Sequence, residues 1–381
     1  MIMEGLMNKL FRSLVCAYIF CAISINGFSV KPEVVLEQNL WVSGEDAEIS
    51  EYRTPVMIRA LNGDILAFAG ARKISHGDAS AKVIIMRRSK NGGNKWGPSV
   101  FVVDDYMNTD GLNLGNAIVD EQTGAIIFIY SFCIHNECDF SKYTPTNFKT
   151  VSYDHGYTWS PPVDLAEKSP FFEGWNWAPG PGYGIQKKLA PNVGRLFACG
   201  HWGNSTYGLM TCIYSDDHGE TWTQSEFTVY LPNNMTKNVG DFTPGEPQIV
   251  ELSDGRLLIN ARNQHFFHSR NRLIFYSDDG GKTFPMSNLR VDLTLLEPGC
   301  FASTLIHQGV MFFSNPFDKS SRVNMTLRWS LDEGMSWAGS LGIYSKGSGY
   351  SCLSPIDDNH IGLLFEKDGY KEMHFVKIKF A

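Results

Sequence analysis

Short runs of apolar and β-prone residues recur along the whole chain, each bounded by turn-forming Gly, Asp, Asn or Ser. Runs of this length with such boundaries predict β-strands. The clearest runs are Val83–Arg88, Phe148–Ser152, Gly208–Ser215, Leu273–Ser277 and Asn324–Ser330. Helical periodicity is nearly absent, so the pattern predicts an all-β protein.

The strongest local signal is a hairpin in the second half of the chain. Two apolar segments, Gln248–Leu252 and Arg256–Asn260, are joined by Ser253-Asp254-Gly255, and Asp-Gly between β-prone runs is typical of a hairpin turn. Glu246 enters the first strand and Arg262 leaves the second, so both are predicted at the same open end of the sheet. Such a pair is either a surface ion pair or half of an active site.

An internal repeat of the form Ser-x-Asp-x-Gly-x-Ser/Thr-Trp/Phe follows the strand-like runs. Clear copies begin at Ser152, Ser215, Ser277 and Ser330, and a weaker copy begins at Ser89; successive starts are 63, 63, 62 and 53 residues apart. Within a copy, the Asp accepts hydrogen bonds from turn amides, the Gly permits positive φ, and the aromatic ring covers the turn. We interpret the repeat as a structural lock on a hairpin, without a catalytic role.

The period of the repeat predicts the architecture. Each period has room for about four short strands, which form one blade of a β-propeller. The copies and a final β-rich stretch through Ile361–Phe365 predict a six-bladed β-propeller whose last blade closes against the N-terminal strand. Because a propeller grows radially, residues 30–381 are predicted to form a single domain without a linker.

The composition is that of a folded globular protein, with 43% hydrophobic and 19% charged residues. The net charge is -7 and no run of Lys or Arg stands out. This argues against a nucleic-acid partner and against a polybasic membrane patch. It leaves open a local cationic pocket for an anionic substrate.

Residues 1–29 have a different character from the rest. Lys9 and Arg12 precede the apolar run Leu14–Ile25, which ends in small and polar residues. This arrangement predicts a secretory signal peptide. A membrane anchor is the weaker alternative, because the run is too short to span a bilayer as a helix. Asn-x-Ser/Thr triplets that agree with secretion occur at Asn204, Asn234 and Asn324.

Two of the eight cysteines lie in the predicted signal peptide, and secretion would place the other six in an oxidising compartment. Cys133 and Cys138 are spaced to close a small loop. Cys199 and Cys212 flank a predicted hairpin, which favours a cross-strand disulfide. The spacing does not decide whether the last two cysteines pair. No Cys-x-x-Cys motif or His-rich cluster indicates a structural metal.

The repeats that begin at Ser89, Ser152, Ser215, Ser277 and Ser330 are called Asp boxes below. Several motifs occur together with them: an early Tyr-Arg-Thr-Pro, the hairpin from Glu246 to Arg262, a later Arg322 and a late Gly-Tyr-Ser. In this combination the chain resembles the sialidase (neuraminidase) superfamily, and within it the animal lysosomal sialidases. The segments that carry the closer resemblance include DGLNLGNAIVD, APGPGYGIQKK, CGHWG, GEPQIVELSDGRLLINARNQ and GSGYS. They extend over most of the chain that follows the signal peptide.

The resemblance implies a set of carboxylate-binding arginines. Arg53, Arg262 and Arg322 match the superfamily's arginine triad, which grips the carboxylate of sialic acid. Arginine suits this task because it stays charged and offers paired planar donors to a planar anion. Arg72 matches a further arginine of the pocket, and Glu366 matches the glutamate that orients Arg53.

The resemblance also implies the reacting groups. Tyr350 matches the nucleophile, Glu246 the carboxylate that takes its proton, and Asp78 the acid and base that serves the leaving group. Sialidases with a tyrosine nucleophile are a known exception to the two-carboxylate scheme of glycosidases. Aromatic residues of the middle segment either line the pocket or pack between blades, and they are Trp175, Trp177 and Tyr183.

The implied activity is that of a retaining exo-α-sialidase that needs no metal or other cofactor. The resemblance further implies lysosomal delivery and association with a lysosomal serine carboxypeptidase, the protective protein. The C-terminal KIKFA, however, lacks a tyrosine-based sorting tail. Two alternatives stay open: a trans-sialidase with the same residues, and a non-catalytic propeller that binds sialoglycans.

Overall fold

The computed structural model describes residues 30–46, 48–73, 76–77, 82–103, 111–133, 146–173, 177–203, 208–227, 244–264 and 269–381. Several predictions fall outside these ranges: the signal peptide, Asp78, Cys138, Trp175, Asn204 and Asn234. None of the helices in the described ranges is long and apolar enough to cross a membrane.

The described residues form strands joined by turns, with three short 3-10 helices at Leu165–Glu167, Pro170–Phe172 and Met286–Asn288. The first strands are β1 (Glu33–Val42), β2 (Glu51–Arg59), β3 (Ile65–Arg72), β4 (Lys82–Ser89), β5 (Val100–Val103), β6 (Gly111–Val119), β7 (Ile126–Cys133), β8 (Thr146–Ser152) and β9 (Val163–Asp164). The middle strands are β10 (Trp177–Pro179), β11 (Gly182–Tyr183), β12 (Ile185–Gln186), β13 (Leu196–Gly203), β14 (Gly208–Ser215), β15 (Thr223–Gln224), β16 (Glu226–Phe227), β17 (Pro244–Glu251), β18 (Leu257–Asn263), β19 (Asn271–Ser277), β20 (Thr283–Phe284) and β21 (Arg290–Leu296). The last strands are β22 (Ser303–His307), β23 (Val310–Pro316), β24 (Val323–Ser330), β25 (Gly339–Asp357), β26 (His360–Lys367) and β27 (Glu372–Lys379).

Most strands pair antiparallel with their neighbours in sequence. The sheets run in the orders β2-β3-β4-β6-β7-β8-β9, β10-β13-β14-β15, β17-β18-β19-β21 and β1-β27-β26-β25-β24-β23-β22, with a small parallel pair of β16 and β20. The prediction of an all-β fold is confirmed. The sheets do not by themselves give the predicted six blades, because a β4–β6 contact and the long strand β25 each join two groups of strands.

The two ends of the chain meet in one sheet. β1 pairs with β27 from Glu33↔Lys379 to Val42↔Glu372, and β27 pairs with β26, which contains the predicted stretch Ile361–Phe365. The N-terminal strand therefore completes the C-terminal sheet, as the sequence predicts. This pairing fixes the position of β26 and of the turn that follows it.

The Asp-box repeats form the locks predicted from the sequence. In the third copy, Asp217 Oδ1 accepts from the Ser215 hydroxyl at 2.7 Å and the Thr221 amide at 2.9 Å, while Oδ2 accepts from the Thr221 hydroxyl at 2.6 Å. Gly219 has φ +83° and the Trp222 ring is buried. The same bonds recur around Asp154, Asp279 and Asp332.

These bonds predict a loss of stability in acid. Hydrogen bonds from Thr158 lower the pKa of Asp154 to about 2, and at Asp217 burial opposes a lowering of the pKa by Thr221 and Ser215. A carboxylate whose pKa is lower in the folded state stabilises it above the unfolded pKa, and this contribution is lost as the pH falls towards the folded pKa. We expect the melting temperature to fall between about pH 4 and pH 2.

The variant Thr221→Val tests this lock, since it keeps the shape of the side chain and removes one donor to Asp217. We expect a loss of about 1 kcal/mol in unfolding free energy at pH 6 and a smaller loss at pH 3, because the lock stabilises the fold less as the pH falls towards the lowered pKa of Asp217. Thermal melts of both proteins at the two pH values measure the difference. Equal losses at both would contradict the ionised lock.

The structure resolves part of the cysteine pattern. Cys199 of β13 lies opposite Cys212 of β14 and the two form a disulfide, so the predicted cross-strand bridge is confirmed. Cys300 and Cys352, the pair left open by the sequence, are free buried thiols. The bridge between Cys133 and Cys138 stays a prediction, because Cys138 lies outside the described residues.

Candidate active site

Strands β2, β17 and β25 each carry a break in register near one end of their sheets. The breaks lie between Arg53 and Val56, between Gly245 and Pro247, and between Ser348 and Ser351. A β-bulge of this kind re-aims a side chain away from the regular alternation. The residues that it re-aims here are Arg53, Glu246 and Tyr350, three of the predicted site residues.

Backbone conformation shows how unusual two of these bulges are. Thr54 has φ +57° and Glu246 has φ +32°, in the left-handed region that residues other than Gly rarely adopt. Each is followed by a proline, Pro55 or Pro247, which has no N–H for a regular ladder. Strain of this kind at a set of polar residues is typical of functional sites.

The predicted hairpin of β17 and β18 is present, with Gly245 opposite Arg262 in the register. Arg262 Nη1 donates to Glu246 Oε2 at 2.6 Å and to the Tyr350 hydroxyl oxygen at 3.2 Å. The Tyr350 hydroxyl in turn donates a short hydrogen bond to Glu246 Oε1. Residues from three strands thus form a closed triangle of a phenol, a carboxylate and a guanidinium.

Burial and neighbouring charges determine the protonation states of Tyr350 and Glu246 in this triangle. Burial raises the pKa of Tyr350 well above its usual value, and the neighbouring Glu246 raises it further. Burial also opposes ionisation of Glu246, yet Arg262, His201 and the Tyr350 hydroxyl together lower its pKa. The resting site therefore contains a neutral phenol beside an ionised carboxylate.

Glu366 of β26 connects the bulge of β25 at Tyr350 with Arg53. Its side chain is fully buried; Oε1 accepts from Arg53 Nε at 2.8 Å and from the Thr54 amide at 2.8 Å. Its other oxygen, Oε2, accepts from the Tyr350 amide at 2.8 Å. One carboxylate therefore fixes the bulges of β2 and β25, which is more than the orientation of Arg53 expected from the sequence.

A second carboxylate, Glu51, was not singled out by the sequence. Its Oε2 lies 3.4 Å from Nη1 of both Arg53 and Arg72, and Oε1 lies 3.3 Å from His76 Nδ1. Arg72 also donates to the His76 carbonyl oxygen. Glu51 therefore holds Arg72 beside Arg53 and ties both to the segment that leads to Asp78.

Arg322 reaches the same group from the segment before β24. Its Cζ lies 5.3 Å from the centroid of the Tyr350 ring, and Nη2 donates to the Gly299 carbonyl at 3.1 Å. Its Nη1 donates to the Tyr370 hydroxyl at 3.1 Å, and the Tyr370 ring lies 3.7 Å from Arg53 Cζ. Shared neighbours therefore bring Arg53, Arg262 and Arg322 into one site.

His201 of β13 borders this site, and in the sequence it is the central residue of the motif CGHWG. Alternate residues of a strand face the same side of the sheet, so His201 faces the same side as Phe197 and Cys199. The side chains of those two residues pack against β17 and β18. Its Nδ1 is buried and has no hydrogen-bond partner among the described residues. Burial lowers the pKa of His201, against the effect of Glu246.

The aromatic residues of the middle segment are packing residues where the structure describes them. Trp177 is buried against Phe172, with ring centroids 5.9 Å apart. Tyr183 donates to the Thr304 carbonyl at 2.5 Å, and its own carbonyl accepts from Gln248 at 2.8 Å. These contacts support the packing alternative for both residues.

The chain is similar in sequence to known proteins. A family model described as a BNR repeat-like domain matches residues 63–362. The sialidase of Micromonospora viridifaciens is 30% identical over 376 residues, which cover 91% of this chain and 54% of the relative. The chain belongs to the BNR-repeat sialidase superfamily. It spans about half the length of this bacterial sialidase.

Solved structures show that the superfamily fold is shared. The Hadza microbial sialidase Hz136 has a TM-score of 0.75 at 24% identity, covering 90% of this chain and 68% of that one. A leech intramolecular trans-sialidase, solved with 2,7-anhydro-Neu5Ac, has a TM-score of 0.72 at 18% identity, covering 91% and 70%. The chain therefore resembles both a sialidase and a trans-sialidase in fold.

Proposed function

We propose that the chain is a retaining exo-α-sialidase (EC 3.2.1.18) that releases terminal sialic acid from glycoproteins, oligosaccharides and glycolipids. The observation that carries the proposal is the triangle in which the Tyr350 hydroxyl donates to Glu246 while Arg262 contacts both. The nearby guanidinium groups of Arg53 and Arg322 support an anionic substrate.

The choice of a phenol as nucleophile follows from the substrate. The anomeric carbon of sialic acid carries a carboxylate, which would repel an attacking carboxylate by about 1 kcal/mol in water at 4 Å and by more in a partly buried site. A neutral phenol avoids this repulsion. Tyr350, whose pKa is raised, stays neutral until the reaction begins.

In the first step, the Tyr350 oxygen attacks C2 of the sialoside as the bond from C2 to the leaving oxygen breaks. The phenol proton passes to Glu246, and Asp78 gives its proton to the leaving alcohol. Because the pKa of Glu246 lies far below that of the phenol, the proton must move together with the attack rather than before it. Arg262 donates to the Tyr350 oxygen and to Oε2 of Glu246, while Oε1 of the same carboxylate takes the proton.

In the second step, water attacks C2 from the side of the departed alcohol and loses a proton to Asp78. The bond to Tyr350 breaks, and the phenolic oxygen recovers its proton from Glu246. Two displacements at C2 give net retention. Arg53, Arg262 and Arg322 bind the substrate carboxylate throughout, with Arg72 beside them and Glu366 fixing Arg53.

We assign the architecture as a six-bladed β-propeller. Groups of about four consecutive strands, with β1 completing the last group, support this count. We further propose a nearer kinship with animal lysosomal sialidases, entry into the secretory pathway through residues 1–29, residence in the lysosome and association with a serine carboxypeptidase. These proposals rest on the sequence motifs.

A trans-sialidase is the second candidate, because the leech intramolecular trans-sialidase shares the fold. Nuclear magnetic resonance of 3'-sialyllactose turnover, with and without an added acceptor, separates the alternatives. A hydrolase gives the α-anomer of free sialic acid first. Appearance of 2,7-anhydro-Neu5Ac or of sialylated acceptor would indicate transfer, and binding without turnover would indicate a non-catalytic lectin.

A further inference from the structure

Tyr370 has no part in the motifs that identify the superfamily, yet it touches two arginines of the site. It lies in the turn between β26 and β27, where Asp368, Gly369 and Tyr370 have φ values of 52°, 63° and 73°. A run of left-handed residues costs free energy at each non-Gly position and persists only where the surroundings hold it.

The surroundings of the turn do hold it. The Ser43 hydroxyl donates to the Tyr370 carbonyl at 3.1 Å, and the Ser43 amide donates to the Lys371 carbonyl at 2.8 Å. The Asp368 amide donates to the Gly347 carbonyl at 2.8 Å, on the strand that leads to the nucleophile. The turn is therefore fixed relative to Tyr350 from both sides.

The Tyr370 ring fills the space between Arg53 and the bulge of β25 at Tyr350. Its centroid lies 3.7 Å from Arg53 Cζ, the distance of a close cation–π stack. A Cβ at Gly349 would lie 2.8 Å from a carbon of this ring and 2.2 Å from a Glu366 oxygen. Glycine before Tyr350 is thus required by the Tyr370 ring and by Glu366.

The hydroxyl of Tyr370 has a proton to give. A phenol accepts and donates, and here it accepts from Arg322 Nη1 at 3.1 Å. Within the part of the chain that the structure describes, no group accepts its proton. Guanidinium groups lie on both sides of Tyr370. Their positive charge favours an anionic oxygen as the acceptor of this proton.

We propose that Tyr370 is a fourth carboxylate-binding residue, which stacks on Arg53, accepts from Arg322 and donates its phenolic proton to the carboxylate of the substrate. This inference rests on the proposed function, since it assumes a sialoside in the site. It adds a neutral donor between two cationic ones. The three donors together would favour a planar carboxylate over an ester or an amide at the same carbon.

The variant Tyr370→Phe tests the proposal, because it keeps the ring on Arg53 and removes the hydroxyl. We expect KM for a fluorogenic sialoside and Kd for 2,3-didehydro-2-deoxy-N-acetylneuraminic acid to rise about tenfold. We expect kcat to change much less, because the carboxylate is bound before and during the reaction. Tyr276→Phe, which removes a phenol remote from the site, is the matched control.

The methyl ester of the same didehydro ligand distinguishes a carboxylate-binding role of Tyr370 from a role in supporting the fold. It should bind wild type weakly and should lose nothing further in Tyr370→Phe. Equal losses for the acid and the ester, or no loss for either, would overturn the proposal. A crystal structure with the acid bound should place the phenolic oxygen within hydrogen-bond distance of the carboxylate.

Different results would contradict the sialidase function and the role of Tyr370. Wild-type protein that neither binds the didehydro acid nor cleaves sialosides would remove the proposed function and this inference with it. Active wild type with an unchanged Tyr370→Phe would remove this inference alone. The control variant should match wild type in every case.

Discussion

Tyr350→Phe should lower kcat for a sialoside by roughly a thousandfold or more, with the affinity for the didehydro acid changed only slightly. The variant keeps the ring beside Phe301, whose centroid lies 5.7 Å away, and the contact with Arg322. It removes only the oxygen that attacks C2. Initial rates with a fluorogenic sialoside, beside a calorimetric Kd, measure both quantities.

Tyr276→Phe is again the control for loss of a phenol, and it should match wild type. Retention of more than about a tenth of the wild-type kcat in Tyr350→Phe would mean that another group attacks C2. An unchanged kcat with a raised KM would give Tyr350 a binding role only.

Glu246→Gln should lower kcat by about a hundredfold to ten-thousandfold, because the amide accepts no proton from Tyr350. The amide oxygen still accepts from Arg262, so the guanidinium keeps a partner and the fold should survive. Measurement of kcat and melting temperature together separates chemistry from stability.

The double variant gives a sharper test of the same pair. If Tyr350 and Glu246 act in one step, Tyr350→Phe with Glu246→Gln should be scarcely slower than Tyr350→Phe alone. Losses that multiply would show that the two residues act in separate steps. The didehydro acid should bind both single variants, because neither change removes an arginine.

The sequence predicts well the features that depend on neighbours in the chain. The turn at Asp254 and Gly255 determines the hairpin, and the hairpin brings Glu246 and Arg262 together. The Asp-box spacing of Ser, Asp, Gly and Thr determines the locks. The spacing of Cys199 and Cys212 around a hairpin likewise predicts their disulfide. Each of these depends on turn chemistry that a short segment contains in full.

Other contacts between distant segments were not predicted. Glu51 and Tyr370 are single residues in unremarkable surroundings, and their partners lie in other strands. Cys300 and Cys352 are buried in different surroundings, Cys300 beside Phe301 and Tyr350 and Cys352 beside Met57, so neither finds the other. No local pattern contains this information.

Two prolines in the sequence are a signal for bulges at the site. Pro55 and Pro247 interrupt runs that otherwise predict strands, and a proline in such a run indicates an edge or a bulge. Pro55 follows Thr54, which has a positive φ and is next to Arg53. Pro247 follows Glu246, a site residue that itself has a positive φ. Prolines within predicted strands therefore mark two of the three bulges of the site, those of β2 and β17.

The covalent role of Tyr350 is the central claim, and trapping the intermediate tests it most directly. Wild type would be incubated with 2,3-difluorosialic acid, in which fluoride leaves C2 readily and the fluorine at C3 slows the later hydrolysis. Intact-mass and peptide analysis should show one added fluorosialyl group, on the peptide that contains Tyr350, and none in Tyr350→Phe. An active enzyme that carries the group on another residue, or is never labelled, would contradict the account.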